Sequence, residues 1–422
     1  MKEVMSSYVT NHWGALIKFF INEGRDKKVK SKKFLAVILI MSLLAMGLLS
    51  GCASQQTQQT QQTQQTQASA DEGEIVIGIY LPMTGSNAAG GEMSMEGINL
   101  AKEHKGEVLG RKIKTVLVDD KSDKVEAANA VSRLIDKEKA VAIIGSYSSS
   151  LAIPGSEVAN KAGIPMIANT ATNPLVTLNK EYIFRSCFID PLQGTALANF
   201  AVNDLKAKTA MIILDRANDY SVGLANFFRE AFEKATGNTV EEIKYNTGDQ
   251  EFTAQLTVVK SKNPDILFIP AGNYGDAGLI AKQARDLGIE SIFMGGDTWD
   301  TPEFAEIGGA SIEGSYFSTH FDPAQTTESA TAYCQAFEKK YNKASSSAAA
   351  LSYDAYMLLV DAIERAGSTD PDAIKDALVN VKDYKGVTGV INFDKDHNPI
   401  KDVVIEQIKG GKFNYITSVR PE

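Results

Sequence analysis

From Glu74 onward, short apolar runs alternate with longer stretches whose apolar residues recur three and four apart. Ile75–Tyr80, Ile113–Asp119, Val141–Gly145, Pro165–Ala168 and Tyr182–Ser186 predict strands, most of them apolar throughout. Between them, Gly90–Glu103, Lys124–Lys137 and Leu151–Lys161 predict helices, the last stopped by Gly163. Short apolar strands alternating with helices imply a parallel sheet covered on both faces. The series then restarts. Helices are expected over Pro191–Asp204, Gly223–Ala235, Phe252–Ser261 and Gly275–Leu287, and strands over Thr209–Leu214, Thr239–Tyr245, Ile266–Pro270 and Ser291–Gly295. Each set has the size of an ordinary domain.

The tail adds a strand at Gly314–Thr319, helices at Ser329–Tyr341 and Leu351–Ala366, and strands at Val390–Phe393, Val403–Ile408 and Phe413–Ile416, the last two a hairpin about Gly410 and Gly411. These pieces are too few for a third core and are expected to complete the first two. The chain then crosses near Phe188–Pro191, Thr319–Pro323 and Asn392–Lys395. The expected fold is α/β: two doubly wound parallel-sheet lobes joined by a multi-strand hinge, one lobe from 74–188 plus 322–391 and the other from 189–321 plus 392–422.

The front of the chain departs from this pattern. Lys27, Lys28, Lys30, Lys32 and Lys33 precede an uncharged apolar run of 16 residues, Phe34–Leu49, and then Ser50, Gly51 and Cys52. The run is shorter than the ~20 residues of a spanning helix. Basic, apolar and small residues in that order read as an export signal over 1–51. Leu49-Ser50-Gly51-Cys52 resembles a bacterial lipobox, which implies that Cys52 carries lipid and begins the mature chain. Met1–Lys28 makes the basic region too long, so translation is expected to start at Val29, read from GTG. After Cys52, Gln-Gln-Thr repeats four times over Gln55–Thr66. Lacking apolar residues to offset ordering entropy, 52–73 is expected to be a disordered tether.

Of the 43 Lys/Arg and 52 Asp/Glu, residues 1–51 hold 8 and 3, leaving 35 against 49 and a net charge of −14. That balance argues against a nucleic-acid partner. Cys187 and Cys334 are expected as buried free thiols, and the four histidines show no metal-ligand spacing. No metal or cofactor is expected, and no glycine-rich nucleotide loop or Gly-x-Ser-x-Gly nucleophile motif supports an enzyme.

Ligands of open α/β sheets sit beyond the carboxyl ends of strands, so the residues following each strand are the candidates. Ser146-Tyr147-Ser148-Ser149-Ser150 precedes a helix, where hydroxyls and free N–H groups suit a carboxylate or simply cap the helix. Asn169-Thr170-Ala171-Thr172-Asn173-Pro174 is a second polar strand end, equally readable as a turn. Tyr220 is expected just before a helix, Asn273 and Tyr274 follow another strand, and Asp297 stands between Gly296 and Trp299, as a cation partner or a helix cap ahead of Pro302.

Read in order, several short motifs carry a resemblance. They are Ile77-Gly78…Pro82-Met83-Thr84-Gly85, Val118-Asp119-Asp120, Ile144-Gly145-Ser146-Tyr147-Ser148-Ser149, Ile164-Pro165-Met166-Ile167, Tyr182-Ile183-Phe184-Arg185, Asp219-Tyr220-Ser221-Val222-Gly223 and Phe293-Met294-Gly295-Gly296-Asp297. From Glu74 to about Ile416 the chain resembles the branched-chain amino acid and amide binding proteins of ABC transporters, with a type I periplasmic-binding fold. The resemblance implies that Ser148, Ser149 and Thr172 hold a ligand α-carboxylate. The backbone at Thr170 and the Asp297 carboxylate would take its ammonium, with Ala171 in the same stretch. Tyr147 and Tyr220 would wall the side-chain pocket, with Asn273 or Tyr274 across the cleft.

It further implies a monomeric, lipid-anchored extracytoplasmic receptor that delivers an amino acid to permease subunits. The loop Ser86–Gly91 lacks the aromatic common in the family, Asp297 replaces a longer glutamate, and a disulfide of some members has no matching cysteines; a wider or differently shaped amino acid fits these departures. The same fold also fits a ligand sensor for a membrane signalling partner, or a receptor for an amide or carboxylic acid. An extracellular hydrolase has no motif behind it. The gene is expected to read GTG at codon 29 with purines just upstream; sequencing that shows otherwise removes the internal start.

Overall fold

The computed structural model describes residues 73–324 and 327–420. The export signal, Cys52 and the Gln/Thr repeat lie outside the described residues. The chain forms β1 (Ile75–Leu81), α1 (Ala88–His104), β2 (Glu107–Val108), β3 (Arg111–Asp119), α2 (Lys124–Asp136), β4 (Ala142–Ile144), α3 (Ser149–Lys161), β5 (Met166–Ala168) and β6 (Ile183–Arg185). It continues through α4 (Asp190–Asn203), β7 (Ala210–Asp215), α5 (Asp219–Thr236), β8 (Glu241–Tyr245), α6 (Thr253–Lys262), β9 (Ile266–Phe268), α7 (Tyr274–Asp286), β10 (Ile292–Gly295), α8 (Pro302–Gly308) and β11 (Tyr316–Thr319). The last elements are α9 (Glu328–Tyr341), α10 (Ser347–Ala366), α11 (Pro371–Val379), β12 (Tyr384–Gly386), β13 (Gly389–Ile391), β14 (Val403–Lys409) and β15 (Lys412–Val419).

Two large sheets result, in the orders β2-β3-β1-β4-β5-β6 and β15-β14-β11-β10-β9-β7-β8, beside a small β12-β13 ribbon. The expected parallel pairing holds through β3-β1-β4-β5-β6 and β11-β10-β9-β7-β8. The edges differ: β2 is antiparallel to β3, and β14 and β15 are antiparallel additions beside β11. Gly410 and Gly411, at φ +62 and +67, make the tight turn between the last two strands, a connection that only antiparallel strands accept.

Strand alternation sorts each sheet's residues onto two helical layers. In the first lobe Ile75, Ile77 and Ile79 face a cluster with Ile98 of α1 and Leu359 of α10, whereas Tyr80 and Ile143 face Val131 of α2 and Leu151 of α3. In the second, Met211 and Ile213 pack toward Leu256 of α6 and Ile280 of α7, and Ile212 and Leu214 toward Leu197 of α4 and Phe228 of α5. Each fully buried side chain of this kind contributes about 1.5–3 kcal/mol.

Among the described residues, three crossings join the lobes. The first runs between β6 and α4 and the second follows β11. The third falls later than Asn392–Lys395, because 392–401 folds back on the first lobe. There Thr177 bonds Asn398 (2.8 Å), the His397 ring stacks on Phe184 (4.2 Å between centroids), and Lys401 Nζ donates to Ser186 O (2.9 Å). Cys187 is buried as expected; Cys334 is only partly so. Among the described residues, no helix is long and apolar enough to cross a membrane.

Asp354, buried on α10, fastens the approach to the third crossing. It accepts from Val387 N (2.7 Å), Thr388 N (2.9 Å) and Thr388 Oγ1 (2.5 Å), and Lys401 also bonds Thr388 Oγ1. Burial raises the Asp354 carboxyl above its ordinary range, and the Lys401 ammonium and these bonds offset that only in part. Asp354→Ala removes the acceptor and leaves Lys401 buried without its countercharge. The expected loss is about 3–5 kcal/mol of unfolding free energy, read as a lower urea midpoint at unchanged slope.

Candidate functional site

The carboxyl ends of both parallel sheets open onto one cleft, the place where open α/β sheets present their loops. A cavity of about 420 Å³, partly open to solvent, lies there. Tyr147, Ser148, Ser149, Thr170 and Thr172 reach it from the loops after β4 and β5, and Tyr220 and Asp297 from the facing lobe. Seven sequence-derived candidates, from four separate stretches, thus line one space.

One wall is built to donate. α3 begins at Ser149, and its capping residue Ser148 makes no side-chain bond to the helix. Ser149 Oγ accepts from Asn173 N (3.1 Å), which leaves its proton free, and the buried Thr172 Oγ1 faces the Asp190 carboxyl without a well-formed bond. Hydroxyls and first-turn N–H groups at a helix N-terminus suit an anion. Thr170 differs, because its hydroxyl donates to Tyr147 O (2.5 Å) and only its backbone remains available. Buried Arg185 braces this wall by donating to Ala171 O (2.7 Å) and Asn173 O (2.9 Å).

The opposite wall is built to accept. Asp297 is not a helix cap: Thr301 caps α8, accepting from Phe304 N (3.0 Å). Asp297 Oδ1 takes Gln193 Nε2 (2.6 Å) and Tyr220 OH (2.8 Å), and Oδ2 takes His320 Nε2 (3.1 Å). Burial alone raises its carboxyl, but His320, through its bond and its charge once protonated, and the bonds from Gln193 and Tyr220 outweigh it and hold the group below the usual carboxylate range. Asp300 lies on the same turn and accepts from Thr319 Oγ1 (2.8 Å) and Ser347 N (3.1 Å).

Two glycines permit the aromatic walls. A Cβ on Gly90 would lie 2.4 Å from the Tyr147 ring, and one on Gly296 would lie 2.0 Å from the Tyr220 hydroxyl.

Tyr220 sits inside the first turn of α5, not before it, because the Asn218 side chain starts that helix by accepting from Ser221 N (3.1 Å). Ala171 does not line the cavity; its carbonyl faces Arg185 and Cys187. Asn273 caps α7 and borders a neighbouring cavity. Tyr274 is likewise outside the lining, its hydroxyl accepting from Ala89 N (3.2 Å) across the cleft. Sequence reasoning missed Gln193, Gly272, Thr298, Asp300, His320 and Ser347. His320 was within reach, because it directly follows β11 and the strand-end rule applies to it. Gln193 carries no such signal inside α4.

A sequence profile of the periplasmic binding protein family matches residues 74–412. The chain belongs to that family. Among its relatives, a Leu/Ile/Val-binding protein homolog 2 of Brucella abortus is 30% identical over 354 residues, 81% of this chain and 93% of that protein. The structure of leucine binding protein LivK from Thermotoga maritima superposes with a TM-score of 0.81 at 42% identity, over 82% of this chain and 99% of that one. LivJ from Streptococcus pneumoniae, solved with isoleucine, gives 0.76 at 33%, over 82% and 100%. A Rhodopseudomonas palustris solute binding protein solved with benzoate, at 23% identity and a TM-score of 0.76, shares the fold. This periplasmic binding protein thus has the type I fold of a solute-binding, non-catalytic family.

Asp190, at the start of α4, is pushed up to about 8 by burial, with Asp297 adding to the shift. Its folded pKa lies above the unfolded value of about 3.9, so folding takes up a proton and stability falls as pH rises between the two. Asp190→Asn is expected to gain on wild type in urea denaturation as pH goes from about 5 to about 8; equal gaps at both ends contradict the raised pKa.

Proposed function

We propose that this periplasmic binding protein is the extracytoplasmic receptor of an ABC importer, taking an amino acid of the branched-chain class between its lobes. The two-walled cavity carries this reading: hydroxyls and a helix N-terminus on one side, an ionised carboxylate on the other. A zwitterion loses its hydration on entry, so each of its charges needs a partner inside. The α-carboxylate would lie at Ser148, Ser149 and Thr172, the ammonium between Thr170 O and Asp297, and the side chain against the rings of Tyr147 and Tyr220. LivK is named for leucine and LivJ was solved with isoleucine, which supports the same class.

Contacts across the cleft hold the lobes together. Lys124 Nζ pairs with Asp219 Oδ2 (2.7 Å), Ser150 Oγ accepts from Asp219 N (2.8 Å), and Asp300 meets the N-terminus of α10. A ligand touching both walls adds to this set and favours the closed form by its differential affinity. Delivery to permease subunits follows from the transporter class of the relatives, and lipid on Cys52 would keep the receptor at the membrane.

Thermal unfolding of residues 68–422 against amino acids, amides and carboxylic acids tests the ligand class. A midpoint rise with leucine, isoleucine or valine but not with their deaminated acids is expected, because a ligand of the folded state stabilises it by mass action. A rise with acids or amides alone replaces the ligand class. Asp297→Ala strands the ammonium and is expected to weaken binding by about 3–5 kcal/mol, several hundredfold or more in Kd by calorimetry. Binding within tenfold of wild type removes Asp297 from the ammonium site.

A further inference from the structure

Within the cavity, Asp297's two oxygens are used unequally. Oδ1 already receives two donors, Gln193 and Tyr220, and a carboxylate oxygen has about two lone-pair sites. Oδ2 receives one, His320 Nε2, at 3.1 Å. An ammonium approaching Asp297 must therefore share Oδ2 with the imidazole. The His320 side chain is 2% exposed, against 10% for Asp297, and its ring lies 3.7 Å from that of Phe188 on the first crossing. Packed there, it has no room to retreat when a cation arrives. His104 and His397 lie elsewhere, bonded to Tyr353 OH and Ile183 O.

We propose that His320 is the positioning residue of this site: its neutral ring donates Nε2–H to hold Asp297 ionised and aimed, and its protonation in acid releases the ligand. This rests on the reading that Asp297 takes the ammonium. A neutral imidazole contributes a hydrogen bond and leaves the full carboxylate charge for the ligand. An imidazolium on the same oxygen neutralises Asp297 and repels a second cation.

The charged groups around His320 are Asp297 and Asp300 on the turn after β10 and Lys401 on the approach to β14. Phe188 is the neutral face, and Asp190, beyond it, faces Asp297. Burial holds the imidazole below the usual histidine range, and the bond to Asp297 offsets this only in part, so the ring is neutral at neutral pH. Asp297 itself titrates lower than an ordinary carboxyl. Asp300 is raised from its ordinary value by burial, so its effect must be separated by experiment.

Histidine ¹⁵N NMR on the ligand-free protein is the first arm. At about pH 7.5 His320 is expected as the Nε2–H tautomer, titrating below about 6.5, with Asp297→Asn lowering the midpoint further. Calorimetry with L-leucine and L-isoleucine at about pH 7.5 and about pH 5 is the second. Wild type is expected to bind about tenfold or more weakly at the lower pH. His320→Gln keeps an amide donor that takes up no proton. It should bind within about fivefold of wild type at the higher pH and be nearly flat between the two, while His320→Leu is weak at both. A flat wild type, an acid loss that survives in His320→Gln, or an Nδ1–H tautomer overturns the proposal. If neither amino acid binds wild type at the higher pH, the ligand class fails instead, and a His320 midpoint unmoved by Asp297→Asn then overturns the coupling.

Discussion

Parallel pairing is the constraint on which the molecule turns. Two parallel strands cannot be joined by a hairpin, so each connection crosses back to the same edge, through an α-helix in every case but the β5–β6 link, which has a single 3₁₀ turn at Pro174–Val176. Every strand of β1, β3, β4, β5 and β6 therefore sends its following loop to one rim of its sheet, and β7, β9, β10 and β11 do the same in the second lobe. The chain then crosses between lobes, and the two rims meet. Tyr147–Ser149, Thr170 and Thr172, Tyr220 and Asp297 belong to four distant stretches and line one cavity because each stands at, or one turn beyond, the end of such a strand.

Electrostatics then divides the cavity. On the first lobe, hydroxyls and the start of α3 offer donors, braced by a fully buried Arg185. On the second, a carboxylate stays ionised out of water because Gln193, Tyr220 and His320 all point donors at it. Those three come from α4, α5 and the residue after β11, two of which adjoin crossings. A shift in those crossings would change how Asp297 is held, which couples this carboxylate to the geometry of the crossings. Asp354 and Lys401 fasten the remaining crossing by the same means, a buried charge surrounded by directed partners.

Alternating apolar runs were enough to read two parallel-sheet lobes, because a strand covered on both faces has no polar side to show. The strand-end rule was enough to reach Ser148, Ser149, Thr172 and Asp297. It erred where local chemistry moved a boundary: Asn218 starts α5 one turn early and takes Tyr220 into the helix, and the turn through Asp394 and Asn398 returns the chain to the first lobe before it crosses. Helix α11 went unread although Asp370, Pro371 and the four-residue spacing of Ile374 and Leu378 mark it, and of the β12-β13 ribbon only the second strand was foreseen, as Val390–Phe393.

Strand, helix and rim are thus properties of the sequence by itself, since they depend on neighbours a few residues away. The state of Asp297, the neutral ring of His320 and the spare proton of Ser149 belong to the tertiary structure. Each depends on groups dozens of residues distant brought within about 3 Å, and burial decides which charge each keeps.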